Sequence, residues 1–360
     1  VEAYHSGLDR WRRAKKPDNL EEFLRVDPKV CKWIRHTKRN LLREIEVEFV
    51  PDKIRSTLYR PFTRRSYFFE RIFNEDIYQF PEFFPKAKTS EENRLLCVTD
   101  VAGRSPFSVL VAAGIVDLHL CASTDTFQCF PLYTYDPDGE HRRDNVTDWA
   151  LAQFRTHYPK VKITKKDIFH YVYAMLHHPA YREKFAANLR RELPRIPFAP
   201  DFAAFAKTGE KLAVLHTGYE YQKEFKLKRV ESAKKPDWRV ERMKLSKDKT
   251  ELIYNDWLTL TGIPAAAHAY RLGNRSALDW VIDQYRVERD KSDGIISDPN
   301  RADDDGYILR LVGQVVTVSV ETMKLVVSLP PLDDAKPTAG YSQADVDAMH
   351  HYVVDETPVK

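Results

Sequence analysis

The sequence predicts an α+β fold: a central mixed or antiparallel β-sheet with flanking helices and long basic loops. Three observations lead there. Residues 45–135 hold short apolar or alternating runs of strand length. From residue 147 onward the period changes to that of an amphipathic helix. No internal repeat ties the two regions into alternating strand–helix units.

The elements follow in order. Residues 2–15 read as a polar helix ending at Lys15-Lys16-Pro17, and Asp18-Asn19 can cap a short helix over Leu20–Val26. Asp27-Pro28 opens a third helix through Arg43. Residues 45–50 alternate Ile45, Val47 and Phe49 against Glu46 and Glu48, a strand pattern. Leu58–Phe62 and Ser66–Phe69 read as two extended pieces around a turn, and residues 71–90 as an irregular, aromatic, proline-broken stretch. Arg94–Thr99, Phe107–Ala112, Val116–Cys121 and Phe127–Tyr135 are strand candidates, the last closed by the turn Asp136-Pro137-Asp138-Gly139. Helices are predicted over 147–158, Thr164–His177, Pro179–Arg191 with proline in the first turn, and from Asp201 through His216. Residues 219–250 are basic and weakly patterned, suggesting a hairpin with exposed loops. Glu251–Leu260 reads as a strand, Ser276–Tyr285 as a helix, 290–306 as a polar loop and Tyr307–Leu329 as a long β-branched helix. Beyond Pro330-Pro331 an Asp-rich tail is expected to be flexible, with a short helix at 342–351.

Composition narrows the classes of function. The chain has 360 residues, 43% hydrophobic and 31% charged, which suits a soluble globular protein of two or three packed units. No apolar run reaches the ~18 residues a membrane helix needs. Val1 is not an initiating methionine and no signal-like segment follows it, so the chain reads as a piece of a longer or processed product. Four scattered cysteines, Cys31, Cys97, Cys121 and Cys129, do not make a disulfide framework, and a reducing cytoplasm is the expected compartment.

Net charge is +4, but residues 1–90 carry +6, 91–150 carry −6, 151–250 carry +12 and 251–360 carry −8. Two basic segments brought to one face would form a nucleic-acid footprint; left apart, they are a mixed solvated surface.

Catalytic motifs mostly fail. Thr208-Gly209-Glu210-Lys211 lacks the earlier glycine and the hydroxyl of a phosphate loop, and no G-x-G-x-x-G is present. No segment suited to holding an adenine amino group appears, so neither ATP hydrolysis nor methyl transfer has its parts here. Pro200-Asp201 followed by Glu224-Phe225-Lys226 has the spacing of a metal-dependent nuclease. Asp201, however, stands where a helix N-cap belongs. Asp117, His119 and Cys121 would share one face of a strand near Cys129, a weak metal pattern without paired C-x-x-C; a buried face with small polar residues is the better account. No catalytic or metal residue is therefore assigned.

Binding chemistry remains. Arg60, Arg64 and Arg65 cluster with Tyr59 and Tyr67. Arg142, Arg143 and Asn145 follow a turn; Lys226, Lys228, Arg229 and Arg239 belong to the densest basic run; Arg271, Asn274 and Arg275 lie between a strand and a helix; Arg104 stands in the loop after the first central strand. Arginine pairs bidentately with guanine and asparagine with adenine, while lysine mainly neutralises phosphate. These residues are the candidate DNA contacts, expected to meet in one positive groove. For each the plainer account is stacking or pairing inside the fold.

Several stretches carry a family resemblance: Pro51–Tyr67 (PDKIRSTLYRPFTRRSY), Phe127–Trp149 (FQCFPLYTYDPDGEHRRDNVTDW), Asp167–Asp201 (DIFHYVYAMLHHPAYREKFAANLRRELPRIPFAPD), Tyr254–Pro264 (YNDWLTLTGIP), Asn274–Tyr285 (NRSALDWVIDQY) and Thr317–Lys324 (TVSVETMK). The chain resembles the C-terminal target recognition, or specificity, domain of type ISP restriction-modification enzymes over most of residues 1–330. The resemblance implies a parent polypeptide with a nuclease, an ATP-driven helicase motor, a coupler and an N6-adenine methyltransferase. It implies residues 1–45 as a helical linker from a methyltransferase or coupler region. Residues 46–330 become the recognition domain (β-rich 46–146, helical 147–218, mixed 219–330), and 331–360 the tail. The implied task is to read a double-stranded DNA sequence so that one adenine can flip for methylation, licensing restriction. ATP, Mg2+ and S-adenosylmethionine would belong to the other domains, and this chain alone would be noncatalytic. Two rivals are a module docking a motor onto a methyltransferase and a fragment with nuclease activity.

Overall fold

The strand Leu95–Thr99 is buried along its whole length, and it separates two of the three hydrophobic cores among the described residues. Successive strand side chains point to opposite faces. Leu95 and Cys97 accordingly enter one cluster, with Leu110 and Ala112 of the neighbouring strand. Leu96 and Val98 enter the other, with Val109 and Val111. Burial on both faces explains why these segments read as continuous apolar runs rather than alternating ones.

These relations come from a computed structural model that describes residues 1–15, 19–25, 33–75, 77–101, 103–122, 125–289 and 296–332. The class is α+β, but its strands are distributed among several small sheets rather than one large one. The dividing sheet places Leu95–Thr99 between Val109–Ala112 and Phe127–Pro131, all antiparallel. The hairpin Ile54–Arg60 and Thr63–Phe68 adds Ile115–Val116 in parallel. A four-stranded antiparallel sheet runs Lys244–Leu245, Glu251–Ile253, Leu258–Thr261, Lys228–Glu231, leaving Lys228–Glu231 at an edge. The helices Asp148–His157, Lys165–His177 and Phe202–Thr217 fill the second core, and Tyr307–Val327 backs the first. Among the described residues no helix is long and apolar enough to cross a membrane.

Several local expectations are corrected. Residues 45–50 have no strand partner. The alternation is not carried into burial: Val47 is buried with Tyr4, Leu8 and Leu41, while Ile45 and Phe49 are exposed like Glu46 and Glu48. Side chains replace the ladder: the Tyr4 hydroxyl donates to the Ile45 carbonyl at 2.8 Å and the Val47 N–H to His5 Nε2 at 3.4 Å. The helix expected from Asp27 is seen as Arg35–Leu42, and residues 26–32 lie outside the described residues. The strand expected over Val116–Cys121 stops at Val116, because the Asp117 carboxylate takes the His119 N–H at 2.9 Å and turns the chain. Asp117, His119 and Cys121 therefore do not share a strand face. Pro179–Arg191 is an α-helix only over Pro179–Lys184, with a 3-10 turn at Asn188–Arg190.

The expected hairpin within 219–250 is absent; its two strands sit at opposite edges of the four-stranded sheet. Between them, Glu251–Leu260 is itself a hairpin, turned by Asn255, whose side-chain oxygen accepts from the Trp257 and Leu258 N–H groups at 3.0 and 2.9 Å. The polar 290–306 stretch contributes a strand, Ile296–Ser297, paired with Glu288–Arg289; residues 290–295 and the tail from 333 lie outside the described residues.

A buried relay ties four elements together. The Val111 N–H donates to the Tyr173 hydroxyl at 3.0 Å, the hydroxyl shares a hydrogen bond with His216 Nδ1, and His216 Nε2 shares one with the Thr322 hydroxyl at 2.8 Å. Burial lowers the pKa of His216 to about 3, and it also holds His170, His177 and His178 below the ordinary histidine value. In the unfolded chain these groups take up protons near pH 6.5. The folded form resists protonation, so the unfolded state binds more protons below that pH. Stability is therefore full above pH 6.5 and falls as pH drops toward each depressed folded value, down to about 3 for His216. Each such histidine costs up to about 1.4 kcal/mol per pH unit in its window. We expect the melting temperature to drop steeply between pH 6.5 and 4.5, ahead of carboxylate titration. A flat profile by calorimetry over that interval would contradict the relay.

Candidate nucleic-acid interface

Three segments distant in sequence converge on one cleft of about 540 Å³. The first hairpin supplies Tyr59, Arg60 and Arg65; the loop after Leu95–Thr99 supplies Arg104 and Ser105; and residues 274–288 supply Asn274, Arg275, Trp280, Asp283, Gln284, Arg286 and Glu288. Five of the predicted contacts, Arg60, Arg65, Arg104, Asn274 and Arg275, thus meet here.

Each wall is anchored. On the hairpin, the Arg60 guanidinium lies 4.1 Å from the Tyr59 ring centre and that of Arg65 5.6 Å. The Arg104–Ser105 turn is held by Asp125, whose carboxylate accepts the Ser105 N–H at 2.7 Å. The Ser105 hydroxyl and then the Arg104 backbone hold the Asp125 carboxyl below its usual range. Asn274 stands at the tip of a two-residue turn between Arg271–Leu272 and Arg275–Ser276. Gly273 has φ +66°, and a Cβ there would come within 2.6 Å of the Cys121 carbonyl oxygen, so only glycine suits the position. The Gly273 N–H donates to the Ser108 hydroxyl, the Trp280 indole N–H donates to the Leu272 carbonyl at 2.9 Å, and the Arg271 guanidinium donates to the Asn274 carbonyl.

The charges divide into committed and open ones. Arg60 pairs with Asp117, Arg275 with Asp283, and Arg286 with Asp283 and Glu288. Arg65 and Arg104 make no ion pair among the described residues, and the Asn274 side-chain amide has no hydrogen-bond partner there. A cleft offering two unpaired guanidinium groups and one free amide suits an anionic polymer with hydrogen-bonding edges.

The other predicted residues lie elsewhere. No residue of 142–145 or 226–242 lines this cleft. Arg64, next to Arg65, turns inward: it donates to Glu220 at 2.7 Å and to the Thr217 carbonyl at 3.3 Å. Arg142 lies 4.4 Å from the Tyr133 ring centre, Arg143 pairs with Asp136, and Asn145 is exposed. Lys226 and Arg229 line a separate shallow depression beside Glu224 and Gly313, and Lys228 is exposed on the edge strand. Arg239 is taken by Glu241 and Asp298. Sequence reasoning placed Tyr59 in the arginine cluster but missed Gln284 and Arg286 as lining residues; the helix end near Tyr285 was the signal available.

A larger groove of about 940 Å³ adjoins the cleft and shares Tyr59 with it. Its lining includes Tyr67, Tyr78 and Phe80 with Asp100 and Asp117, and no lysine or arginine. Size alone would favour it, but its charge does not suit phosphate. The nuclease spacing also resolves locally: Asp201 caps its helix by accepting the Ala204 N–H at 2.9 Å. Among the described residues no three His, Cys, Asp or Glu side chains are placed to hold a metal ion.

The family described as Type ISP C-terminal specificity domain matches residues 1–311. No curated protein matches the chain. Ten solved chains are similar, among them these three. A nuclease-deletion mutant of the Type ISP restriction-modification enzyme LlaGI, in complex with a DNA substrate mimic, is 30% identical with a TM-score of 0.77, covering 93% of this chain and 25% of that one. The DrdV–DNA complex is 35% identical with a TM-score of 0.77, covering 90% and 33%. The ATP-dependent Type ISP enzyme LlaBIII bound to DNA is 27% identical with a TM-score of 0.80, covering 92% and 22%. The chain thus spans a third or less of the length of each.

Proposed function

The chain belongs to the Type ISP C-terminal specificity domain family, and from that premise we propose that it recognises double-stranded DNA sequence through the Arg65–Arg104–Asn274 cleft. One observation carries the proposal: the cleft is built from three anchored segments, yet it leaves the Arg65 and Arg104 guanidinium groups without ion pairs and the Asn274 amide without a hydrogen-bond partner among the described residues. Rigid presentation of uncommitted donors is what a binding site requires. Guanidinium groups neutralise phosphate and can pair with guanine, and an asparagine amide can pair with adenine. The similar structures are complexes with DNA or a DNA substrate mimic, two of them of Type ISP enzymes, which supports the same reading.

In this reading the domain places a target adenine for a methyltransferase of the same polypeptide and licenses ATP-driven restriction by its helicase and nuclease portions. ATP, Mg2+ and S-adenosylmethionine act in those portions, and this chain contributes no catalytic group. The compartment is the cytoplasm. Residues 1–45 serve as the connection and 46–330 as the recognition unit.

Selection from a random duplex library at two salt concentrations tests the proposal. The expected result is an enriched motif, with affinity falling steeply as salt rises. Absence of salt-dependent binding would favour a protein-docking module instead.

A further inference from the structure

Independently of the DNA reading, we infer that Cys129 and Cys97 form a peroxide-sensitive thiol pair that closes to a cross-strand disulfide. Cys97 lies on Leu95–Thr99 and Cys129 on Phe127–Pro131, and the two are direct partners in the antiparallel register. Directly opposed residues in such a pair have Cα atoms roughly 4.5–5.5 Å apart, within the span a disulfide bridges. The sulfurs are already 3.6 Å apart, with the Cys129 thiol directed at Cys97 Sγ. Closing to about 2.05 Å needs side-chain rotation rather than movement of the sheet.

The two thiols differ in access. Cys129 is half-buried and lines the 940 Å³ aromatic groove, so a small hydroperoxide can reach it. Cys97 is fully buried and reachable only through its partner. The hydrogen bond with Cys129, and then burial, hold the Cys97 thiol well above its ordinary pKa, so Cys97 is not the group the peroxide oxidises directly, and it reacts only with the sulfenic sulfur held beside it. Cys121 is also buried, but it lies in the turn after Val116, away from the strand register.

The chemistry balances. The Cys129 thiol attacks one peroxide oxygen; the O–O bond breaks, giving a sulfenic acid and, with hydrogen peroxide, one water. Cys97 then attacks the sulfenic sulfur, the S–O bond breaks, and the leaving hydroxide takes the Cys97 proton as a second water. Two thiols lose two electrons and the peroxide gains them. A thiol reductant reverses the bridge.

The test treats the full chain with hydrogen peroxide, then counts thiols after denaturation and maps cross-linked peptides by mass spectrometry. The count is expected to fall from the four cysteines of the sequence to two, with a Cys97–Cys129 peptide lighter by two hydrogen atoms. The bridge should raise the melting temperature of the oxidised protein and vanish with dithiothreitol. Cys129→Ser should keep its thiols under the same dose. Cys97→Ser should leave Cys129 as a sulfenic acid trapped by dimedone, with circular dichroism reporting that the variant is folded. A bridge to Cys31 or Cys121, thiol loss without a bridge, or equal loss in Cys129→Ser would each overturn the assignment.

Discussion

Replacing Gly209 by alanine should cost at least about 3 kcal/mol, the upper end of overpacking penalties, enough to unfold much of the helical core. Gly209 lies inside the helix Phe202–Thr217, where the crossing helix Lys165–His177 presents the carbonyl of His170. A Cβ at 209 would stand 1.8 Å from that oxygen. Neither atom belongs to a movable side-chain end, so no rotamer relieves the overlap; one helix must move. Helix propensity works in the other direction, since alanine gains about 1 kcal/mol over glycine, and the clash outweighs it. Moving the helix also strains the Tyr173–His216 relay, which joins the same two elements. Gly313→Ala supplies the comparison: it too lies inside a helix, but its nearest neighbour is the Glu224 side chain at 3.1 Å, and it should shift stability by less than about 1 kcal/mol. Urea unfolding of both variants checks the contrast. Equal midpoints would mean that the helices have room the structure does not provide.

The same glycine shows how much was legible beforehand. In the sequence, Thr208-Gly209-Glu210-Lys211 could only be measured against a phosphate loop and found wanting. Its purpose depends on a carbonyl nearly forty positions away, and local pattern carries no trace of that. Elements with a strong local cause were readable: Thr147, Thr164, Asp201 and Ser276 cap helices where the sequence placed or bounded them, each accepting a backbone N–H. Strand boundaries set by Asx turns at Asp117 and Asn255 were not, because the competing hydrogen bond is a matter of one side-chain conformation.

Charge partnership was the least legible property. Arg64 and Arg65 are adjacent, and alternation along a strand already places them on opposite faces. Which face is internal is decided by Glu220, 156 positions later, which takes Arg64 and leaves Arg65 open. The dense run from Lys226 to Arg239 drew attention by composition, yet Arg239 is neutralised and the cleft forms without that run. Counting basic residues found the right chemistry and only part of the right surface.

That separation makes the cleft testable against its rival. Reversing Arg65 and Arg104 together to glutamate should lower DNA affinity about a hundredfold on every sequence, taking each reversed charge at roughly 1–2 kcal/mol. Removing two phosphate-neutralising groups should also flatten the dependence of log affinity on log salt by roughly two. The reason is that neither guanidinium is held in an ion pair, so no carboxylate has to be released when phosphate arrives. Arg275→Ala should behave differently, because its charge is already matched by Asp283, which stays paired with Arg286 when Arg275 is removed; the salt slope should change little. The Lys226, Lys228 and Arg229 triple reversal is the counterpart on the edge strand, outside the cleft. Fluorescence anisotropy at several salt concentrations distinguishes the two surfaces. If the edge-strand variant loses binding and the Arg65–Arg104 variant keeps it, the duplex lies along the four-stranded sheet and the cleft serves another purpose.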